Sequence, residues 1–341
     1  MKILFVSNYE PWVLIANGQM PSNHLFGIKE VLTELSECKP GRWRGSFNRG
    51  TVDFVKISNC PVKSLVKYYL LASKYDVVYD VINVVSKVLG LVPPFLRPFK
   101  LVTILHHPPF DMQLKYSDSD AYIFFSQELL GWAKKGNEKK GKKMFLNEWK
   151  PDFNYYHVEE KEGLIYDFMD CGRTNRDHKT VVDAAIQTGS RCFFFNKKEI
   201  RGQKEYEIKE GVNTFFYKEN FIPDDVYVSL MKRAKVLVLA LPRSNRILGP
   251  LGATVLMDAL GLQKPIICSD NAYCGNLVEK SGIGLVYKAG SVSSLSECME
   301  RMKNNSFYDS CVENIKYYNR RGGMESYSVR AMKIIKNTID K

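Results

Sequence analysis

Residues 249–270, GPLGATVLMDALGLQKPIICSD, set three small residues, Gly252, Ala253 and Thr254, at the opening of an apolar helix-like run whose single carboxylate is Asp258. Free backbone N–H groups and the helix dipole at such an opening attract a phosphate, provided no bulky side chain blocks its approach. Asp258 follows Thr254 by about one turn, where it could accept hydrogen bonds from the ribose of a nucleotide held at the helix start. The same residues also read as a glycine-loosened loop and an exposed helical acid. A second stretch, VTILHHPPF, places His106 and His107 at the end of a predicted buried strand, where either could sit beside reacting groups or simply hold a turn ahead of Pro108-Pro109. Asp118-Ser119-Asp120 has the spacing of a two-carboxylate metal site, but its place before a strand reads as a solvated turn, and no metal requirement is expected.

These residues need elements to hold them. Short β-branched or aromatic runs, KILFVSN, VDFVKIS, DVVYDV, KLVTILHH and AYIFFS, alternate with helix-spaced segments such as SNHLFGIKEVLTELSE. That alternation predicts a mostly parallel sheet covered by helices on both faces. Residues 134–162 lose periodicity and become strongly charged, which predicts a loop followed by an interdomain linker. A second series then begins with LIYDFMDCG, HKTVVDAAIQTG and RCFFFN. It continues through VNTFFYKEN, DDVYVSLMKRA, KVLVLAL and GIGLVYK to a helix near 293–304. In doubly wound sheets ligands bind beyond the carboxyl ends of the strands, so candidate chemistry belongs there.

Composition sets the outer bounds. A chain of 341 residues exceeds the size of most single cores, and 45% hydrophobic with 25% charged residues is an ordinary globular balance. The net charge of +12 favours acidic surfaces or ligands, among them nucleic acid, anionic lipid and phosphorylated substrates. Eight scattered cysteines without a C-x-x-C pair read as free thiols in a reducing cytoplasm. No signal peptide or membrane span is predicted.

The stretch from Asp224 to Met302 resembles the carboxy-terminal domain of the family-four group of GT-B glycosyltransferases, and the resemblance extends over nearly the whole chain. Asp258 falls on the second glutamate of that family's E-x7-E pair, Lys264-Pro265-Ile266-Ile267 on the following strand, and Gly282, Gly284 and Val286 on its last element. FMDCGRTNRDHKTVVDAA is similar to the segment whose Gly-Arg and later Lys contact the donor diphosphate. The resemblance therefore implies donor-binding roles for Gly172, Arg173, Lys179, Ile222, Gly252, Ala253, Thr254 and Asp258. It implies a role beside the reacting sugar for His106 or His107, with His106 favoured, and an acceptor-facing position for Gly18, Ser22 and His24 in NGQMPSNHLFGIKEVLTEL. Pro250 stands where the family has its first glutamate, so sugar recognition must differ from the usual scheme.

The fold so implied is α/β, GT-B, with two Rossmann-like doubly wound domains facing a central cleft. An acceptor-binding domain over 1–150 precedes a nucleotide-sugar-binding domain over 160–322, and a helix over about 324–341 packs back on the first. The implied activity is metal-independent, retaining transfer of a hexosyl or related group from a nucleotide-sugar, UDP or GDP, to a glycan or lipid-linked acceptor in surface polysaccharide or glycoconjugate synthesis. No cofactor and no nucleic-acid partner is expected. The protein would be cytoplasmic, with the basic loop KKGNEKKGKK and the lysine-spaced apolar segment near 62–75 offering peripheral contact with anionic lipid. An inactive GT-B partner subunit and a polyanion-binding protein are the alternatives.

Overall fold

The computed structural model describes residues 1–28, 43–47, 50–105, 114–115, 117–135, 142–156, 163–172, 175–195, 214–217, 224–244 and 251–340. In chain order the elements begin with β1 (Lys2–Ser7), α1 (Pro11–Ala16), β2 (Trp43–Phe47), β3 (Gly50–Lys56), α2 (Leu65–Ala72) and β4 (Val77–Asp80). Next come α3 (Ser86–Leu89), β5 (Lys100–Ile104), β6 (Ala121–Phe124), α4 (Gln127–Lys135), β7 (Met144–Leu146), β8 (Tyr166–Asp170) and α5 (His178–Gln187). Then follow β9 (Cys192–Phe195), β10 (Thr214–Tyr217), α6 (Asp224–Lys232), β11 (Ala234–Leu239), α7 (Ala253–Gly261) and β12 (Ile266–Ser269). The chain finishes with α8 (Gly275–Ser281), β13 (Gly284–Tyr287), α9 (Val292–Lys303), α10 (Asn305–Asn319) and α11 (Met324–Ile339). Two compact units result: Met1–Asp152 with Gly322–Lys341, and Phe153–Arg321.

The first unit carries a seven-stranded sheet in the order β2-β3-β1-β4-β5-β6-β7, parallel except for the β2–β3 pair. Both faces of β1 are buried from Ile3 onward, which is why ILFV is a continuous apolar run. Leu4 and Val6 enter one core with Val78 and Leu101, while Phe5 packs edge-on against Trp12 and Tyr79 on the other face. Helix α11 returns from the end of the chain to this unit. Its Met324 N–H donates to the Pro151 carbonyl, Arg330 Nε donates to Asn147 Oδ1, and Ala331 and Ile335 are buried.

Two sequence expectations are corrected here. The helix expected from Ser22 does not start there: Ser22–Leu25 form one 3₁₀ turn, and Phe26 and Gly27 have positive φ. A Cβ at Gly27 would stand 2.5 Å from that of Ala331, so the turn is pressed against α11. Within the stretch expected to be loop and linker, β7 pairs with β6, and Asn147, Trp149, Lys150 and Asp152 are buried. A three-residue strand, MFL, among lysines leaves too short an apolar run to register as a periodic signal.

The second unit carries a six-stranded parallel sheet in the order β10-β9-β8-β11-β12-β13. Its core joins Phe168, Val236, Val238 and Ile267 from the strands to Val181, Ala185, Leu295 and Met299 from α5 and α9. The glycines of GIG have separate duties. Gly282, at φ +62, closes α8, and Gly284 lets β13 lie against β12. A Cβ at residue 284 would stand 1.8 Å from the Ile266 carbonyl oxygen, a backbone atom that cannot swing away. Gly284→Ala is therefore expected to cost about 1–3 kcal/mol or more. Thermal unfolding followed by circular dichroism checks this, and an unchanged midpoint would refute the packing assignment.

Candidate functional site

In the second sheet, β8 is followed outward by β9 and β10, and the chain then returns to lay β11 on its other side. Connections leaving β8 and β11 diverge at that reversal, and their carboxyl ends border a ready-made crevice. Cys171 N–H donates to the Val238 carbonyl and Asp177 N–H to the Ala240 carbonyl, so the loop after β8 is fastened to the end of β11.

Asp170 ends β8 and is fully buried. Its Oδ2 is hydrogen-bonded to His178 Nδ1, while Oδ1 is buried with no hydrogen-bond partner among the described residues. Burial alone would push the His178 pKa down, but the Asp170 carboxylate outweighs it and holds the imidazole toward its protonated form. Arg176 is also buried, and its Nε donates to the Cys171 carbonyl at 2.8 Å. Burial lowers its pKa, opposed first by Asp170.

Gly172 is required by this arrangement. It has φ +104, and a Cβ there would lie 2.1 Å from Arg176 Nη2. Its N–H donates to the Tyr227 hydroxyl at 2.6 Å. Lys179 is exposed on α5 and pairs with Asp183 one turn later. Its neighbour Asp177 caps the helix, accepting from Thr180 N–H at 3.2 Å and the Thr180 hydroxyl at 2.6 Å.

Across the crevice, α7 starts on Gly252 at φ +89 without a side-chain cap. A Cβ at Gly252 would lie 2.4 Å from Leu239 Cδ2, so the glycine lets the helix start rest on the end of β11. Ala253 is buried and Thr254 exposed. Asp258 is half-buried and accepts a 2.6 Å hydrogen bond from the Tyr156 hydroxyl. After burial itself and Asp170, Asp258 is the next contributor to the raised pKa of Cys171, which puts its charge within reach of the loop after β8. Gly172, the start of α5, Gly252 and Asp258 are thus brought together at one sheet edge. Arg173, Ile222 and Pro250 lie outside the described residues.

In the first unit, Gly18, Ser22 and His24 lie on the segment leaving β1. Gly18, at φ +68, follows α1, and its N–H donates to the Ile15 carbonyl as in a glycine helix stop. Ser22 is tied to Asp152 through both its N–H and its hydroxyl. His24 Nδ1 pairs with the Tyr9 hydroxyl at 2.8 Å, and its ring meets Trp149 edge-on. Burial lowers the His24 pKa to about 4. His106 and His107 follow β5 and lie outside the described residues. The Asp118–Asp120 turn is not the solvated turn expected: Asp120 pairs with buried Arg97 at 3.1 Å and accepts from Leu101 N–H, and Asp118 pairs with Lys142. Both carboxylates serve to hold the β5–β6 connection.

Sequence reasoning passed over Asp170, Arg176, His178, Tyr156 and Tyr227. An acid ending an otherwise apolar strand was the available signal for Asp170. Nothing distinguishes Arg176 from any surface arginine within the polar loop GRTNRD. Among the described residues, no group of three or more His, Cys, Asp or Glu is placed to hold a metal ion, and no helix is long and apolar enough to cross a membrane. Seven described cysteines are free thiols, five of them buried.

Two parallel-sheet units of this kind define the GT-B fold, with two Rossmann-like domains. Solved structures resemble the chain over its full length. A sucrose-phosphate synthase from Thermosynechococcus elongatus matches with a TM-score of 0.68 at 12% identity, covering 99% of this chain and 98% of that one. Anabaena HepE in complex with UDP-glucose matches with a TM-score of 0.67 at 13% identity, over 99% and 100%. The α,α-trehalose 6-phosphate synthase from Burkholderia multivorans matches with a TM-score of 0.67 at 8% identity, over 99% and 98%. At these identities the likeness establishes the fold. No family model matches the sequence, and no curated protein matches it.

The His24 environment has a pH consequence. The folded chain binds this proton less readily than the unfolded chain, so the contribution is complete above about pH 6.5 and falls as the pH drops toward 4. His24→Gln should flatten the decline in melting temperature across that window. Equal declines in the two proteins would refute the assignment.

Proposed function

We propose that the protein is a glycosyltransferase that moves a sugar from a UDP-sugar to the hydroxyl of a glycan or lipid-linked acceptor. The observation that carries this reading is the full-length likeness to HepE, whose structure holds UDP-glucose, in a chain whose second sheet meets a bare helix start at its strand reversal. The uncapped amides near Gly252, Ala253 and Thr254 would face the diphosphate, and Lys179 and Arg173 would supply charge as the leaving group forms. Lys179 can leave Asp183 at little cost, since an exposed ion pair of this kind is worth under about 1 kcal/mol. Arg176 and His178 act from behind, fixing Gly172 and adding positive charge beneath the loop.

In the proposed reaction the acceptor oxygen bonds to the anomeric carbon as the bond to the distal phosphate oxygen breaks. UDP departs with that electron pair, and the acceptor proton passes to the departing phosphate, a same-face course that retains configuration. His106 and His107, following β5, would assist beside the reacting sugar. Gly18, Ser22 and His24 would border the acceptor.

The lipid-linked form of the acceptor is supported by the surface of the first unit. Val62, Val66 and Leu70 recur every four residues along one exposed face, and Phe95 is 85% exposed. The Tyr69 hydroxyl donates to the Leu96 carbonyl, joining this face to the Pro94–Leu96 turn. Lys63, Lys67 and Lys74 are interspersed, with no acid between residues 60 and 75. An apolar ridge among lysines suits an anionic bilayer, each lysine adding about 1 kcal/mol. The protein would therefore work in the cytoplasm at the inner face of the membrane.

Two experiments test these readings. UDP-glucose at a hundredfold excess over its Kd should raise the melting temperature by about 5 °C. Arg173→Ala and Lys179→Ala should each diminish that shift, and undiminished shifts in both would overturn the diphosphate assignment. A shift without sugar transfer to any acceptor would favour the inactive partner subunit. Separately, Val66→Asp with Phe95→Asp should abolish sedimentation with phosphatidylglycerol-containing vesicles, and unchanged sedimentation would remove the membrane reading.

A further inference from the structure

The second unit holds another cavity, at the opposite edge of its sheet from the strand reversal. Helix α7 leaves the carboxyl end of β11 and delivers the chain to the amino end of β12, so its last residues lie a helix length, about 13 Å, from Gly252. There Phe153, Tyr156, Gly261, Gln263, Lys316, Asn319 and Arg320 line a space of about 490 Å³. That volume falls within the range of small-molecule sites.

The lining is chemically mixed. Tyr156 is buried and forms the floor: its ring stands where a Cβ at Gly261 would be, 2.2 Å from Cδ2, and its hydroxyl is fixed on Asp258. Phe153 adds a second aromatic wall. Lys316 and Arg320, one turn apart near the end of α10, bring two exposed cations to the rim, Lys316 also pairing with Glu313 at 2.7 Å. Asn319 is anchored by its amide N–H on the Leu260 carbonyl at 2.8 Å, and its Oδ1 is buried with no hydrogen-bond partner among the described residues. Gln263, exposed at the rim, carries a side-chain amide that both donates and accepts, as a sugar's hydroxyls do.

We propose that this cavity is a binding site for a small phosphorylated sugar, distinct from the crevice at the strand reversal. The phosphate, carrying close to two negative charges, lies between Lys316 and Arg320. The ring rests on half-buried Phe153 above the buried Tyr156, and its hydroxyls meet the side-chain amide of Gln263. Tyr156 joins this floor to Asp258 through its hydroxyl. This site does not depend on the identity of the transferred sugar or on catalysis.

Isothermal titration of the full chain with ribose 5-phosphate, and with ribose and inorganic phosphate as comparators, tests the proposal. Ribose 5-phosphate should bind with a Kd at or below about 1 mM, and more tightly than either comparator. Lys316→Ala with Arg320→Ala should weaken it by about tenfold or more, a loss at two exposed positions that leaves the core intact. Glu313→Gln releases Lys316 from its neighbour and should strengthen binding severalfold, a gain that a folding defect cannot produce. Lys179→Ala should leave the affinity unchanged. Absence of binding, binding unaffected by the Lys316/Arg320 pair, or equal loss with Lys179→Ala would each overturn it.

Discussion

The reversal of strand order beside β8 is the constraint from which the second unit's chemistry follows. Right-handed crossovers place the connections after β8 and β11 on opposite faces of the sheet, so no helix fills the gap between their first turns. Everything at that edge serves to keep the gap both open and rigid. Gly172 and Gly252 remove side chains where backbone must come close, Arg176 occupies the space Gly172 vacates, and Asp170 fixes the start of α5 through His178. The first sheet has the same kind of reversal beside β1, bordered by the segment that carries Ser22 and His24.

Buried charge has opposite consequences in the two units. In the second, Asp170 lies beside Arg176 and His178 and favours the charged form of both, a balance suited to an anionic ligand. In the first, burial leaves His24 neutral near pH 7, held by Tyr9 and Trp149, so the ring contributes shape and a hydrogen bond but no charge. Lys264 is a third case. Buried against the Ala234 carbonyl, with its pKa lowered to about 8, it ties the turn before β12 to the start of β11, so the Lys-Pro step is an architectural feature.

The alternation of apolar runs made the two parallel sheets legible, because strands buried on both faces leave continuous signals such as ILFV and VLVL. The small residues at 252–254 were legible for a related reason: a helix start against a strand end needs glycine. Legibility failed where tertiary contact overrides local pattern. Over its described part, the periodic stretch from Ser22 opens with a 3₁₀ turn pressed against α11, a contact some three hundred residues away in sequence. Arg176 and Tyr156 were hidden because a polar loop or a linker tyrosine becomes a site residue only through what folds over it. Asp118 and Asp120 looked solvated because their partners, Lys142 and Arg97, are distant in sequence.

The return of α11 to the first unit bears on the order in which the protein is made. Residues 153–321 are contiguous and can collapse as soon as they emerge from the ribosome, whereas the first unit lacks Ala331 and Ile335 until the whole second unit has been made. The half synthesised first is therefore the half that matures last. Until α11 has been made, the surface around Gly27 and Pro151 that it covers in the folded chain stays open to solvent.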